Sequence, residues 1–292
     1  MKKVSIGQSL SFSFSSFFGN IIFFIKGFFV TIFIAVVGVA IASLLSLPFM
    51  LPIFNKITVI KELFFNKGFS LVVFKEAWTI VSGGILMASL ALFVFAIVLK
   101  LVYDYILLGW YRVSVDFYAQ GKSSVSRLFS KISTLCNYFF ANLFIFIILL
   151  FIFFVSFLFF LIVYTLLTKL IGVSPTAQPF YGMFRVFLLL PALIPTVYFA
   201  IRFLLYPYFI AYKNSGIFES FSQGYRISAG HVIRLIVVLI ILSFIGNILR
   251  MFLFRILGFY ALPVVISFFL LVKIWEIFAI GYFYGKLTSQ EL

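Results

Sequence analysis

From Gly27 to Asn55 the chain carries no charged side chain, and Pro48 and Pro52 near the end of that run predict the close of a first membrane span at about 27–50. The chain is apolar again from Ala77 to Leu99, is interrupted by Lys100 and Asp104, and continues through Trp110. That pattern predicts a second span within 80–110, inside a longer helix. Ser82, Gly83 and Gly84 mark a place where another helix can pack closely. A hydrocarbon layer of about 30 Å needs roughly 20 residues of helix, and the charge-free run from Ile132 to Thr168 is longer than that. Only part of it is expected to cross, at about 142–167. A fourth span is predicted at 186–206, kinked by Pro191 and Pro195. The fifth, 235–249, is short, but Arg234 and Arg250 at its ends can snorkel to the headgroups. The sixth is predicted at 261–285. These runs are apolar on every face and do not alternate, which argues for helices against a lipid-embedded barrel.

Three segments outside these spans share a register. Leu10, Leu128 and Phe221 align, followed four residues later by Phe14, Ile132 and Tyr225, and nine residues along by Gly19, Asn137 and Gly230. Each has apolar residues at helical spacing with polar residues between, and each leads into a long apolar run. Amphipathic helices lying in the membrane interface are therefore predicted at 4–18, 124–136 and 216–228, with Leu128, Phe129 and Ile132 turned to lipid. The expected architecture is all-α and integral to the membrane. It has six transmembrane helices in three pairs, each pair preceded by an interfacial helix, in a single polytopic domain over 1–292.

Composition agrees, with 65% hydrophobic residues against 10% charged. The formal charge of +15, from 22 Lys plus Arg against 7 Asp plus Glu, would suggest nucleic acid in a soluble protein. In a membrane protein, cations at helix ends meet anionic lipid headgroups, so lipids are the expected partners and nucleic acid is not. The cations divide almost evenly between the two sides, so charge alone barely orients the chain. Met1, Lys2 and Lys3 resemble the start of a signal peptide, but a polar Ser- and Phe-rich stretch separates them from the apolar run, and the first helix is expected to be retained.

Catalysis needs an acid, base, nucleophile or metal in a defined constellation. The one histidine, His231, and the one cysteine, Cys136, stand in no such spacing, and no phosphate-cradling glycine motif is present. Neither enzymatic activity nor a cofactor or metal is expected. The informative residues are charges inside apolar runs: Lys100 and Asp104, Arg202, and Lys273 and Glu276. A charge at a helix centre costs about 2.5–3.5 kcal/mol even on the lenient insertion scale, so these groups are expected to face one another or water. They form a candidate intramembrane polar network, either a pathway for an ion or lipid headgroup or a set of internal ion pairs that lock the bundle.

The segment LIPTVYFAIRFLLYPYFIAYKNSGIFESFSQGYRISAGHVIRLIVV, Leu193 to Val238, resembles a pattern in multi-pass bacterial membrane proteins related to the membrane domain found with some glycerophosphoryl diester phosphodiesterases. The resemblance rests on Pro195, Arg202, Pro207, Ser220, Ser228 and Gly230. LLGWYRVSVDFYAQGKSSVSRLFSKI, Leu107 to Ile132, is similar to that family's Gly, Arg and Asp motif. The chain departs from the pattern at Ala211 to Asn214, where many relatives carry an acid, and nothing in it matches the phosphodiesterase barrel. The resemblance implies a multi-pass protein of the bacterial inner membrane with cytosolic termini. The function expected is non-enzymatic, organising lipid or a membrane partner through interfacial helices. The alternative is a small transporter or lipid-handling protein that uses the buried charges.

Overall fold

The computed structural model describes residues 4–68, 70–171, 191, 193–257 and 262–289. No strand occurs among them, and six helices are long and apolar enough to cross a membrane. In chain order the helices are α1 (Ile6–Gly19), α2 (Ile21–Lys67), α3 (Leu71–Gln120), α4 (Ile132–Ile171), α5 (Leu193–Lys213), α6 (Ile217–Ser228), α7 (Val232–Leu257) and α8 (Leu262–Thr288). A 3-10 turn, Val125–Leu128, separates α3 from α4. All but α1 and α6 are candidate spans.

Several boundaries differ from those predicted. Pro48 and Pro52 do not end the first span, because α2 continues through both to Lys67. Helices in lipid tolerate proline where neighbouring helices, hydroxyl side chains or local adjustments of the helix satisfy the freed carbonyls, whereas ending the helix there would free more of them. The second predicted interfacial helix, 124–136, is instead the 3-10 turn followed by the first residues of α4, which runs unbroken past Asn137. The chain breaks after the other two copies of the repeat, where Asn20 separates α1 from α2 and Gly230, at φ +75°, lies between α6 and α7. Residues 135–139, Leu-Cys-Asn-Tyr-Phe, hold neither glycine nor proline and give the helix no reason to stop. The start of the fourth predicted span, 186–190, lies outside the described residues. Its remainder passes Pro195 as helix and breaks at 203–205, one turn before Pro207, whose ring excludes the carbonyl four residues back.

The chain divides into two compact units, Phe24–Leu107 and Met1–Phe23 with Leu108–Leu292. In the larger unit, α8 is the central helix, with Ile277, Phe278, Ala279, Phe283 and Tyr284 all buried. Hydroxyl groups from its neighbours bond to its carbonyls. Ser9 Oγ donates to Ala279 O at 2.7 Å, Ser13 Oγ to Trp275 O at 2.9 Å, and Tyr208 Oη to Ile277 O at 2.6 Å. The face that α1 buries is therefore its serine stripe, Ser9, Ser13 and Ser16, while Phe18 is exposed. α6 repeats the arrangement with Ser220, Gly224 and Ser228 buried. Gly224 lies so close to the Tyr206 backbone that a Cβ there would stand 3.0 Å from its nitrogen. Small side chains at these crossings let backbones approach, which is how helices associate where lipid removes the hydrophobic contrast.

The smaller unit is a helical hairpin of α2 and the first part of α3. Gly38 lies against Val102 and Gly84 against Lys56, two contacts in one antiparallel register. At its tip Lys67 Nζ and Glu76 Oε2 pair at 3.0 Å. Helices of 47 and 50 residues are roughly 70–75 Å long, more than twice the hydrocarbon thickness.

Gly109 provides the sharpest test of backbone packing, because a Cβ there would collide with the carbonyl and Cα of Leu128, which cannot move as a side-chain tip can. Gly109→Ala is expected to destabilise the detergent-solubilised protein by about 1–3 kcal/mol, seen as a lowered melting temperature. Gly19→Ala, which meets nothing within 4 Å, should leave melting unchanged. Equal melting of both variants would show that the Leu128 turn is not packed on α3.

Candidate functional site

Lys273 and Glu276 lie one helical turn apart near the middle of α8, and their side chains pair at 2.7 Å. Glu276 also borders a small cleft between α7 and α8, about 80 Å³, lined by Ser243, Asn247 and Arg250 together with the apolar Phe268, Phe269 and Val272. That volume has room for a few waters. Gly246 lets α7 pack directly on Val272 of α8 at the edge of the cleft.

Lys100 and Asp104 form a second local pair, Nζ to Oδ1, one turn apart on α3 in the hairpin unit. Asp104 is fully buried, whereas the Lys100 side chain is 46% exposed and can extend along the helix. The hairpin register sets this pair beside the charge-free residues around Val36 to Ala40 of α2. Each of the two carboxylates predicted inside the apolar runs is thus held by a lysine on its own helix.

Arg202 is different. It is buried near the end of the straight part of α5, with its guanidinium carbon 3.7 Å from the centre of the Tyr225 ring and 5.9 Å from that of Tyr198. Its backbone carbonyl accepts a hydrogen bond from Ser228 Oγ at 2.8 Å, which ties α5 to the end of α6. Its Nε is buried with no hydrogen-bond partner, and among the described residues it makes no ion pair. Next to it the chain turns through Gly230 and buried His231 into α7, where Arg234 Nη1 lies 3.5 Å from His231 Nδ1. A guanidinium can only donate, so that ring nitrogen is the acceptor of a neutral imidazole. Burial pushes the His231 pKa below its ordinary value, and the charge of Arg234 pushes it the same way.

The Gly, Arg and Asp motif of Leu107–Ile132 forms a further polar knot around Arg112, whose partners the sequence did not disclose. Its Nε donates to Ala211 O at 2.6 Å, and its terminal nitrogens reach Phe129 O and Thr134 Oγ1 at 3.3 and 3.4 Å. Thr134 Oγ1 in turn donates to Asn214 Oδ1 at 3.1 Å, where Asn214 adopts the left-handed conformation that ends the π-helical turn Phe209–Lys213. One turn along α3, Asp116 pairs with Arg127 at 3.2 Å and accepts from Ser123 Oγ at 3.0 Å. Together Arg112 and Asp116 secure the 3-10 turn that brings buried Leu128 against Gly109. Leu128 therefore belongs to the protein interior, not to the lipid face predicted for it. Phe129 and Ile132 are exposed.

No family model, curated protein or solved structure matches this chain.

Two outcomes follow from these pairs. Glu276→Gln or Lys273→Met leaves one charge midway along α8, and each is expected to reduce folded yield in detergent by the equivalent of about 2.5–3.5 kcal/mol. The double variant should recover part of that loss. Parent-like folding of both single variants would remove the pair from the stability account. For His231, a folded-state pKa below the unfolded value means the unfolded chain binds the proton more readily, so stability falls as pH drops through the ordinary imidazole range near 6.5. The melting temperature should decline between pH 7.5 and pH 5.5 and decline less in His231→Gln. Parallel curves would exclude His231 as the origin.

Proposed function

We propose that this protein is a non-enzymatic integral protein of a bacterial inner membrane that organises lipid, or a membrane partner, at the cytosolic surface through its interfacial helices. The observation that carries this reading is α6. It is held between two candidate spans, buries Ser220, Phe221, Gly224 and Ser228 against the bundle, and turns Glu219, Ser222 and Arg226 outward beside an exposed Phe218. A short helix with one polar and one packed face at a membrane corner belongs in the headgroup layer. The resemblance of Leu193–Val238 to multi-pass bacterial membrane proteins supports the location and the cytosolic termini.

A second reading, a small transporter or lipid-handling protein, draws on the cleft beside Glu276. At about 80 Å³ that cleft admits little more than water, so the interfacial reading is preferred.

Both parts of the proposal are testable. A reporter active only in the cytosol is expected to work when fused after Leu292 or near Gly121 and to fail near Lys67. The reverse pattern would invert the orientation. Spin labels at Phe218 and Ser222 of the reconstituted protein should differ, the first quenched better by dissolved oxygen and the second by an aqueous reagent. Equal aqueous access would remove α6 from the interface.

A further inference from the structure

Arg202 and the start of α7 enclose a groove of about 800 Å³. One end is polar, formed by Arg202, Gly230 and Arg234. The walls leading away from it are apolar and include Leu193, Ile194, Val197 and Ile233. Leu193 lies nine residues before Arg202 on α5, which is roughly 14 Å of helix. Arg202 also lines a second opening, about 560 Å³, on the side of α6 that carries Arg226.

An arginine with only 8% of its residue surface exposed and its Nε buried needs an anion or a full set of acceptors. Among the described residues Arg202 has neither, only the faces of Tyr225 and Tyr198. Nor can the chain readily supply the anion, because it holds only seven acids. Glu76, Asp104, Asp116 and Glu276 are held by Lys67, Lys100, Arg127 and Lys273. Glu219 accepts from Gln223, Glu62 is exposed on α2, and Glu291 lies outside the described residues.

The first turn of the 26-residue α7 begins at the polar end of the same groove, and its Val232, Ile233 and Arg234 line it. Amide groups in a first helical turn have no partner within the helix and favour an anion. A buried arginine with no ion pair among the described residues, a half-buried second arginine and a helix start thus converge at the polar end of an open, mostly apolar groove.

We infer that this groove binds the phosphate of an anionic phospholipid, with Arg202 and Arg234 on the phosphate and an acyl chain along Leu193, Ile194 and Val197. The inference rests on the interfacial reading of the α6–α7 corner and assigns its ligand. Tyr225 and Tyr198 position Arg202 by stacking on its guanidinium, leaving the edge of the group for the phosphate oxygens.

The full chain in mild detergent, stripped of lipid and titrated with phosphatidylglycerol or phosphatidylcholine under native mass spectrometry, tests this assignment. One phosphatidylglycerol should be retained, with an apparent affinity roughly tenfold above that for phosphatidylcholine. Arg202→Gln and Arg234→Gln should each remove that preference, whereas Lys122→Gln, the same charge change at an exposed position, should keep it. If Arg202→Gln fails to fold, Arg234→Gln and the comparison of the two lipids on the unmodified chain decide. Equal retention of both lipids by the unmodified chain, or an undiminished preference in Arg234→Gln, would overturn the site. Excess inorganic phosphate separates the sources. Displacement of phosphatidylglycerol, with matching stabilisation of lipid-free protein, would assign the groove to free phosphate and overturn the lipid, whereas failure to displace supports it. Loss of the site while the α6 labels still report interfacial depth would sink only this inference. Aqueous readings from those labels would sink the proposal beneath it.

Discussion

Hydroxyl groups and glycines at helix crossings hold the larger unit together. In lipid two apolar helices gain little by touching each other instead of acyl chains, so association depends on close backbone approach and on hydrogen bonds between helices. Three alternate carbonyls of α8, at Trp275, Ile277 and Ala279, each receive a hydroxyl from another helix in addition to the bond within α8. Remove the serine stripe of α1 or the glycine of α6 and the apolar residues beside them have no reason to prefer protein over lipid.

The same constraint explains what the sequence disclosed and what it did not. Six spans were legible because charge-free runs of sufficient length have no other physical outcome. The threefold repeat was legible as periodic apolar positions, Leu10, Leu128 and Phe221, and these suggested three equivalent amphipathic helices. What decides docking is the position before each. Ser9 and Ser220 are small there, followed four residues later by Ser13 and Gly224, and both helices form and pack. In the middle copy the equivalent residues are Arg127 and Lys131, too long for a close crossing, and a 3-10 turn pinned by Asp116 takes the place of a helix. Apolar periodicity marks where an amphipathic helix can form, but in lipid the small polar residues choose the buried face.

Among the candidate polar residues the sequence foretold the Lys273–Glu276 pair, since two opposite charges one turn apart can reach each other without help from the fold. It gave Arg202 as one member of a network, where geometry instead gives it two aromatic rings and no acid. Arg234 was legible only as a snorkelling helix end, Tyr225 only as a repeat position and Arg112 only within a Gly, Arg and Asp motif, because the contacts that matter come from a chain reversal at Gly230 and from a carbonyl at Ala211. Neither carries a sequence signature. The ratio of acids to cations was the available clue. With short-range pairs accounting for most of the carboxylates, some arginine inside the bundle had to look elsewhere for its counter-charge.

The length of the α2–α3 hairpin has a mechanical consequence. A rod of roughly 55–65 Å is longer than the hydrocarbon layer, so hydrophobic length does not set its depth. Depth is set by charge, by the Lys100–Asp104 pair on one side and by Lys56, Lys61 and Glu62 toward the tip on the other. When the bilayer thins or thickens, such a rod keeps its apolar surface covered by leaning, at a cost of fractions of a kcal/mol per Å of mismatch. Its inclination then varies with bilayer thickness, and the close packing of Gly38 on Val102 makes both helices lean as one.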